Sequence, residues 1–138
     1  PSLSIGGGYS YTDAKAQYTE DQNDPNYMKY LPINATSYHN ANWKIAWTHK
    51  DVGVSLFGRY QSTRYYITDG NGKAYQLWRL NVRSSLLKTK KWNLGMNAGI
   101  DNIFNYIDRT PFGKNRGTTS PGRTLYLSLN VKFQNKQK

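Results

Sequence analysis

The chain has no cysteine, which removes disulfide frameworks, thiolate metal sites and cysteine nucleophiles but leaves the compartment open, since many envelope proteins also do without it. Long apolar runs are missing too. Hydrophobic residues fill 37% of 138 positions and the mean hydropathy is -0.82, so no stretch approaches the ~20 apolar residues of a membrane helix. That excludes a helical membrane protein. It does not exclude a β-barrel, whose strands show one face to lipid and the other to a polar lumen and so average to an ordinary hydropathy. Sustained i, i+3, i+4, i+7 apolar patterns are absent, and Gly, Asn, Thr and Tyr are spread where helix formers would be needed. Acids are scarce: 8 Asp and Glu stand against 19 Lys and Arg, a formal net charge of +11. With twelve Tyr and four Trp, that excess invites a nucleic-acid or anionic-membrane reading. The opening "PSLSIGGGYSY" has neither a basic n-region nor an apolar h-region, so no signal peptide is expected and a secreted protein would be represented by a mature piece or a fragment. At this length a single domain is expected.

What is present is alternation. Leu3, Ile5, Gly7, Tyr9 and Tyr11 face one way and Ser4, Gly6, Gly8, Ser10 and Thr12 the other. The same period of two runs through 40–48 (Ala41, Trp43, Ile45, Trp47), 52–61 (Val52, Val54, Leu56, Gly58, Tyr60) and 78–86 (Trp78, Leu80, Val82, Ser84, Leu86). It recurs in 92–101 (Trp92, Leu94, Met96, Ala98, Ile100) and in 124–133 (Leu125, Leu127, Leu129, Val131, Phe133). These predict six strands and an all-β antiparallel fold. No residue on the first-named faces is charged, whereas Lys44, Arg59, Arg79, Arg83, Asp101 and Lys132 fall on the opposite ones.

Connections alternate in length. Segment 13–35 is long and turn-rich, "HKD" (49–51) is tight, "TDGNGK" (68–73) is a glycine loop, "KTKK" (88–91) is tight, and 105–123 is long again. Long and short connections therefore fall at opposite strand ends, as in an outer-membrane barrel. Aromatics follow that layout, with Trp47, Trp92 and Phe133 toward the tight turns and Tyr9, Tyr11, Trp43, Tyr60 and Trp78 toward the loops, as two interfacial girdles would require. A soluble sandwich, whose apolar faces meet each other, alternates as well; the small, polar opposite faces and the phased loop lengths favour the membrane barrel. Six strands are too few to close one, since ~8 is the smallest membrane barrel. More strands and an inserted plug are therefore expected.

"GIDNIFNYIDRTPFG" (99–113) followed by "SPGRTLYLSLNVKF" (120–133) resembles the C-terminal signature of TonB-dependent outer-membrane receptors, in which a D-N-[LI]-F-N strand end leads through an external loop to P-G-R and a last strand closed by Phe. "LSIGGGYSYTDAK" (3–15) and "SYHNANWKIAW" (37–47) are similar to two further strands of that family. The resemblance implies a barrel of roughly 22 strands plugged by an N-terminal domain, with residues 1–133 as its last six strands and 134–138 as a polar tail. It implies a bacterial outer-membrane location and energised uptake of a scarce nutrient, an iron complex (haem or ferric siderophore) or cobalamin. The implied partners are the remaining strands and plug, the TonB complex acting through that plug, outer-membrane lipid and the barrel-assembly machinery; nucleic acid is not among them. In the family the terminal Phe usually ends the chain, whereas "QNKQK" follows Phe133 here.

Asp101, Asn102, Phe104, Asn105, Pro121, Gly122, Arg123 and Phe133 are read as closure and assembly positions: Asx side chains turn a strand into its loop, and Pro and Gly begin the last strand where no ladder donor is needed and unusual dihedrals are tolerated. The first four are also candidates for lining a substrate path. Arg59, Arg79 and Arg83 are expected to project into the lumen, there to steer an anionic substrate or to pair with acidic plug residues. Tyr65 and Tyr66 at the loop ends, with Phe112, Lys114 and Arg116 in the last loop, are the further candidates for contact with a flat or anionic chelate, and loop packing is the competing role of the tyrosines.

His39 and His49 have no ligand partners at metal spacing, "EDQNDPN" (20–26) lacks EF-hand spacing, "DGNG" (69–72) reads as a turn, and the Asn34-Ala35-Thr36 sequon reads as accidental. No metal or cofactor is expected. Nor is an enzyme: no Ser-His-Asp arrangement, metal triad or phosphate-binding loop is recognisable, and "GGGYSY" lies within a strand rather than before a helix. The alternative is a soluble basic β-domain binding nucleic acid or glycan, which would place cations and stacking aromatics on one face.

Overall fold

A period of two segregates apolar from polar residues only in an extended chain, and strands account for the regular structure. The computed structural model describes residues 1–33, 35–66, 71–107 and 122–133. Its elements are β1 (Ser2–Tyr11), β2 (Lys15–Gln17), β3 (Tyr30–Pro32), β4 (His39–His49), β5 (Val52–Gln61), β6 (Tyr75–Lys88), β7 (Trp92–Asp101) and β8 (Thr124–Phe133), with no helix among the described residues. Among the described residues no helix is therefore long and apolar enough to cross a membrane. The long strands form one antiparallel sheet in the order β1-β4-β5-β6-β7-β8, so spatial order follows chain order and each connection is a hairpin.

Turns at residues 50–51 and 89–91 lie at one end of the strands, and the longer connections lie at the other. Within the first long connection β2 and β3 make a separate two-stranded ladder, which the polar, non-alternating composition of 13–35 does not announce. β6 also begins earlier than its alternation suggests, at Tyr75.

The register aligns the apolar alternations into rows across the whole sheet. Ile5, Ile45, Leu56, Leu80, Ile100 and Leu125 are successive partners, and so are Leu3, Trp47, Val54, Val82, Ala98 and Leu127. Slipping any strand by one residue would carry its apolar set to the polar face, so the pairing is strongly specified. One register shift occurs between Ser85 and Leu87, where Leu87 rather than Leu86 partners Leu94. A β-bulge there makes Leu86 the extra residue and hands its expected place on the apolar face to Leu87.

Among the described residues no second layer covers either face. Each long strand contacts only its sheet neighbours, and β1 and β8 do not meet. Tyr66, at 7% exposure, is the buried hydrophobic residue of the described chain, while Leu125, Leu127 and Leu129 stand 71%, 67% and 61% exposed. A leucine contributes roughly 1.5–3 kcal/mol when fully buried, and most of that is unrealised here. Ordering each backbone residue costs about 1–2 kcal/mol. A one-layer sheet with both faces bare cannot offset that cost in water, so its stability requires cover from outside the described residues.

Aromatics bound the apolar face at both ends. Toward the loops Trp43 and Trp78 meet edge to face at 5.0 Å, Trp78 meets Phe104 at 6.2 Å, and the Tyr9 hydroxyl lies 2.7 Å from His39 Nδ1. Toward the turns Trp47 stacks on His49, and Trp92 opposes Phe133. The Trp43 indole lies flat against Gly58, occupying the space a Cβ would need. Gly58→Val is expected to displace that ring from Trp78 and destabilise the sheet by about 1–3 kcal/mol. Loss of the paired-indole signal in near-UV circular dichroism, with a lower urea midpoint in detergent, is the check.

Candidate functional site

The polar face is built from the residues between the apolar ones. One row runs Gly6, Lys44, Phe57, Arg79, Asp101 and Thr124, and the next Ser4, Ala46, Ser55, Asn81, Gly99 and Tyr126. Gly, Ala, Ser and Thr share these rows with Lys44, Phe57, Arg79 and Tyr126, and hydrogen bonds tie part of the face together. Asn81 Nδ2 donates to Asn97 Oδ1 at 2.7 Å and to the Tyr126 hydroxyl at 2.8 Å, and Ser85 Oγ donates to Asn93 Oδ1 at 2.9 Å.

The sequence placed Arg59, Arg79 and Arg83 on this face, and the register does so too. Arg79 makes a forked ion pair with Asp101 on the neighbouring strand, through Nε to Oδ1 and Nη2 to Oδ2, the latter at 3.3 Å. Its charge is met within the sheet. Arg83 lies across Gly53. Arg59 borders an open groove of about 610 Å³ with Gly8, Ser10, Asn40, Asn42 and Phe57. Lys44, Arg59, Arg83 and Lys132 have no ion pair among the described residues. The groove offers one free guanidinium, side-chain amides, a hydroxyl and a phenyl ring, a set suited to an anion with hydrogen-bonding neighbours.

At the loop end Asn102, Asn105, Gly122 and Arg123 come together although the chain between them is long. Asn102 is buried with φ +52, Asn105 has φ +54 and Gly122 φ +85, a left-handed region that Asn and Gly enter most readily. Asn102 Nδ2 donates to the Tyr106 carbonyl at 2.7 Å and its Oδ1 accepts from the Tyr106 amide at 2.8 Å. Asn105 Oδ1 accepts from the Arg123 amide at 2.9 Å, and Arg123 Nε donates to the Ile103 carbonyl at 3.0 Å. A Cβ on Gly122 would press on Asn105 Oδ1. The arrangement is a clasp joining the end of β7 to the start of β8. Phe104 projects beside Trp78, and Phe133 sits exposed at the turn end. Phe112, Lys114, Arg116, Pro121 and the tail 134–138 lie outside the described residues, as do Asn34 of the sequon and part of the 69–72 turn.

The tyrosine candidates belong to a packed cluster. Tyr65 exchanges backbone hydrogen bonds with Ala35 and Thr36 at 2.8 and 3.0 Å, tying the first long connection to the second. Tyr66 is buried beside Arg64, whose guanidinium carbon is 5.9 Å from the Tyr66 ring and 5.2 Å from Tyr75; Tyr75 in turn stacks on Tyr106 at 4.9 Å. Ser37 Oγ donates to Asn40 Oδ1 and accepts from Gln61 Nε2. Arg64, Ser37 and Tyr106 do not stand out in the sequence, because a loop residue shows no periodicity, and partners such as Gln61 for Ser37 and Tyr75 for Tyr106 are distant in the chain.

Among the described residues no group of three or more His, Cys, Asp or Glu could hold a metal ion. Comparison with protein-family models, curated protein sequences and solved structures finds no match to this chain. Asn102→Ala is expected to cost about 1–3 kcal/mol by removing the two side-chain hydrogen bonds to the Tyr106 amide and carbonyl, read as a lower unfolding midpoint and faster hydrogen exchange at the Tyr106 amide.

Proposed function

We propose that the chain is part of the barrel wall of a TonB-dependent outer-membrane receptor, contributing the strands that carry the family's C-terminal signature. The observation that carries this reading is the pair of unbroken apolar rows that nothing in the described chain covers. Hydrocarbon is the cover that suits a face without charge, bounded by aromatics at both ends. Dimensions agree: ten-residue β8 is about 33 Å long, and at a 45° tilt it rises about 23 Å, against ~25 Å for the apolar band of such barrels.

The bare edges of β1 and β8 are where further strands would pair, in a wall of roughly 22 strands. The polar, partly hydrogen-bonded opposite face suits a plugged lumen, with Lys44, Arg59 and Arg83 available to an acidic plug surface or to an anionic cargo. The clasp of Asn102 and Asn105 with Gly122 and Arg123 brings together the two stretches that resemble the family signature. Its role on this reading is to join the last two strands through their external loop. Function is then energised uptake of an iron complex, haem or ferric siderophore, or cobalamin, by the complete receptor driven through TonB. A catalytic role is not part of the proposal.

A facial comparison tests the assignment. Leu127→Arg should destabilise the protein in a lipid bilayer by about 2–4 kcal/mol, because it sets a cation at mid-membrane depth, whereas Ser128→Arg on the lumen face should cost under about 1 kcal/mol. Equal costs for the two substitutions, or a stable monomer in buffer without detergent, would remove the membrane-wall reading.

A further inference from the structure

The basic excess of the chain is not spread evenly along its strands. Among the described residues of the loop end Asp13, Glu20, Asp21 and Asp24 stand against Lys15, Lys29, Arg64, Lys73 and Arg123, so acids and bases are nearly balanced there, and Lys15 Nζ lies 3.2 Å from Asp13. At the turn end Lys50, Lys88, Lys90 and Lys91 face a lone acid among those turns, Asp51, and Lys88 already pairs with it. Lys50, Lys90 and Lys91 are exposed and have no ion pair among the described residues.

The turns hold these cations outward. Lys50 has φ +49 in the two-residue turn between β4 and β5, a conformation in which Gly or Asn would be the less strained choice. The Ser85 amide donates to the Asp51 carbonyl at 2.9 Å, and the Lys88–Asp51 pair fastens the same turn to β6. In the other turn Thr89 Oγ1 accepts from the amides of Lys91 and Trp92 at 3.3 and 3.0 Å and donates to the Trp92 carbonyl at 2.9 Å. That leaves Lys90 and Lys91 at the tip.

Directly behind the cations, on the apolar face, stand Trp47, Val52, Trp92 and Phe133. We infer that this turn end is a docking surface for the headgroups of anionic phospholipids, with Lys50, Lys90 and Lys91 as the recognition groups. The inference rests on the barrel-wall reading and adds which end of the wall meets negative lipid, and through which residues. A lysine suits this place because its apolar stem lies along hydrocarbon and aromatic surface while its ammonium reaches the phosphate. The aromatic belt supplies the apolar boundary and the lysines the charge just beyond it. A nucleic acid fits less well, since the aromatics beside these lysines lie on the face that hydrocarbon would cover.

The test is flotation of the full chain with vesicles of phosphatidylcholine alone or with one third phosphatidylglycerol. Each lysine near an anionic surface contributes roughly fivefold to binding, so phosphatidylglycerol should raise the bound fraction at least tenfold, less so at high salt. Lys50→Gln/Lys90→Gln/Lys91→Gln should return binding to the phosphatidylcholine level, whereas the loop-end triple Lys15→Gln/Lys29→Gln/Lys73→Gln, with the same loss of charge, should leave it unchanged. Equal losses for the two triples would reduce the effect to global charge and overturn the inference. So would indifference to phosphatidylglycerol, or turn-end-dependent retention on a poly-glutamate matrix without retention on anionic vesicles. A chain that floats with neither vesicle fails at the barrel-wall reading itself, a different result from one that floats equally with both.

Discussion

Aliphatic rows that cross every strand of a single-layer sheet have to be covered, and on this constraint the rest of the structure depends. Ile5 to Leu125 and Leu3 to Leu127 are rows of successive strand partners, not patches. A one-residue slip anywhere would break both rows and expose the charged side chains to the same cover. The demand for cover thus sets the register, the register sets the polar-face arrangement of Arg59, Arg79 and Arg83, and the absence of a second layer within the described chain points outward for what supplies it.

The polar face obeys different rules. Many of its members are small, others such as Asn81, Asn97 and Tyr126 are hydrogen-bonded to one another, and Arg79 is met inside the sheet by Asp101. Lys44, Arg59 and Arg83 have no such answer. Their side of the sheet is where an acidic plug surface or an anionic cargo would be received on the proposed reading, while the unpaired lysines of the turns belong to the proposed lipid boundary. Cations of one chain would then serve separate surroundings because the pleat and the strand ends hold them apart.

Side-chain contacts outside the sheet ladders cluster at the loop end. Asn102, Asn105, Gly122 and Arg123 clasp the last hairpin, and the Arg64, Tyr66, Tyr75 and Tyr106 group joins the connection before β6 to the one after β7. Both are built from residues whose side chains reach backbone or ring partners beyond the sheet. The strands can thereby keep one face free of charged groups and still begin and end at defined places.

The six long strands, their polar and apolar faces, and the alternation of tight and long connections were legible in the sequence, because each is a property of residues near one another and a period of two has one structural meaning. The bulge at Leu86, the β2–β3 ladder and the ion pair of Arg79 were not. A bulge depends on what the partner strand offers, a three-residue strand carries too little pattern to register, and residues 79 and 101 become neighbours only once β6 and β7 pair. The Asn and Gly positions of the clasp stood out by type, but that Asn105 bonds Arg123 across the last loop, and that Arg64 rather than an exposed tyrosine anchors the loop cluster, was decided by the tertiary structure, since contacts distant in sequence leave no periodic trace in it.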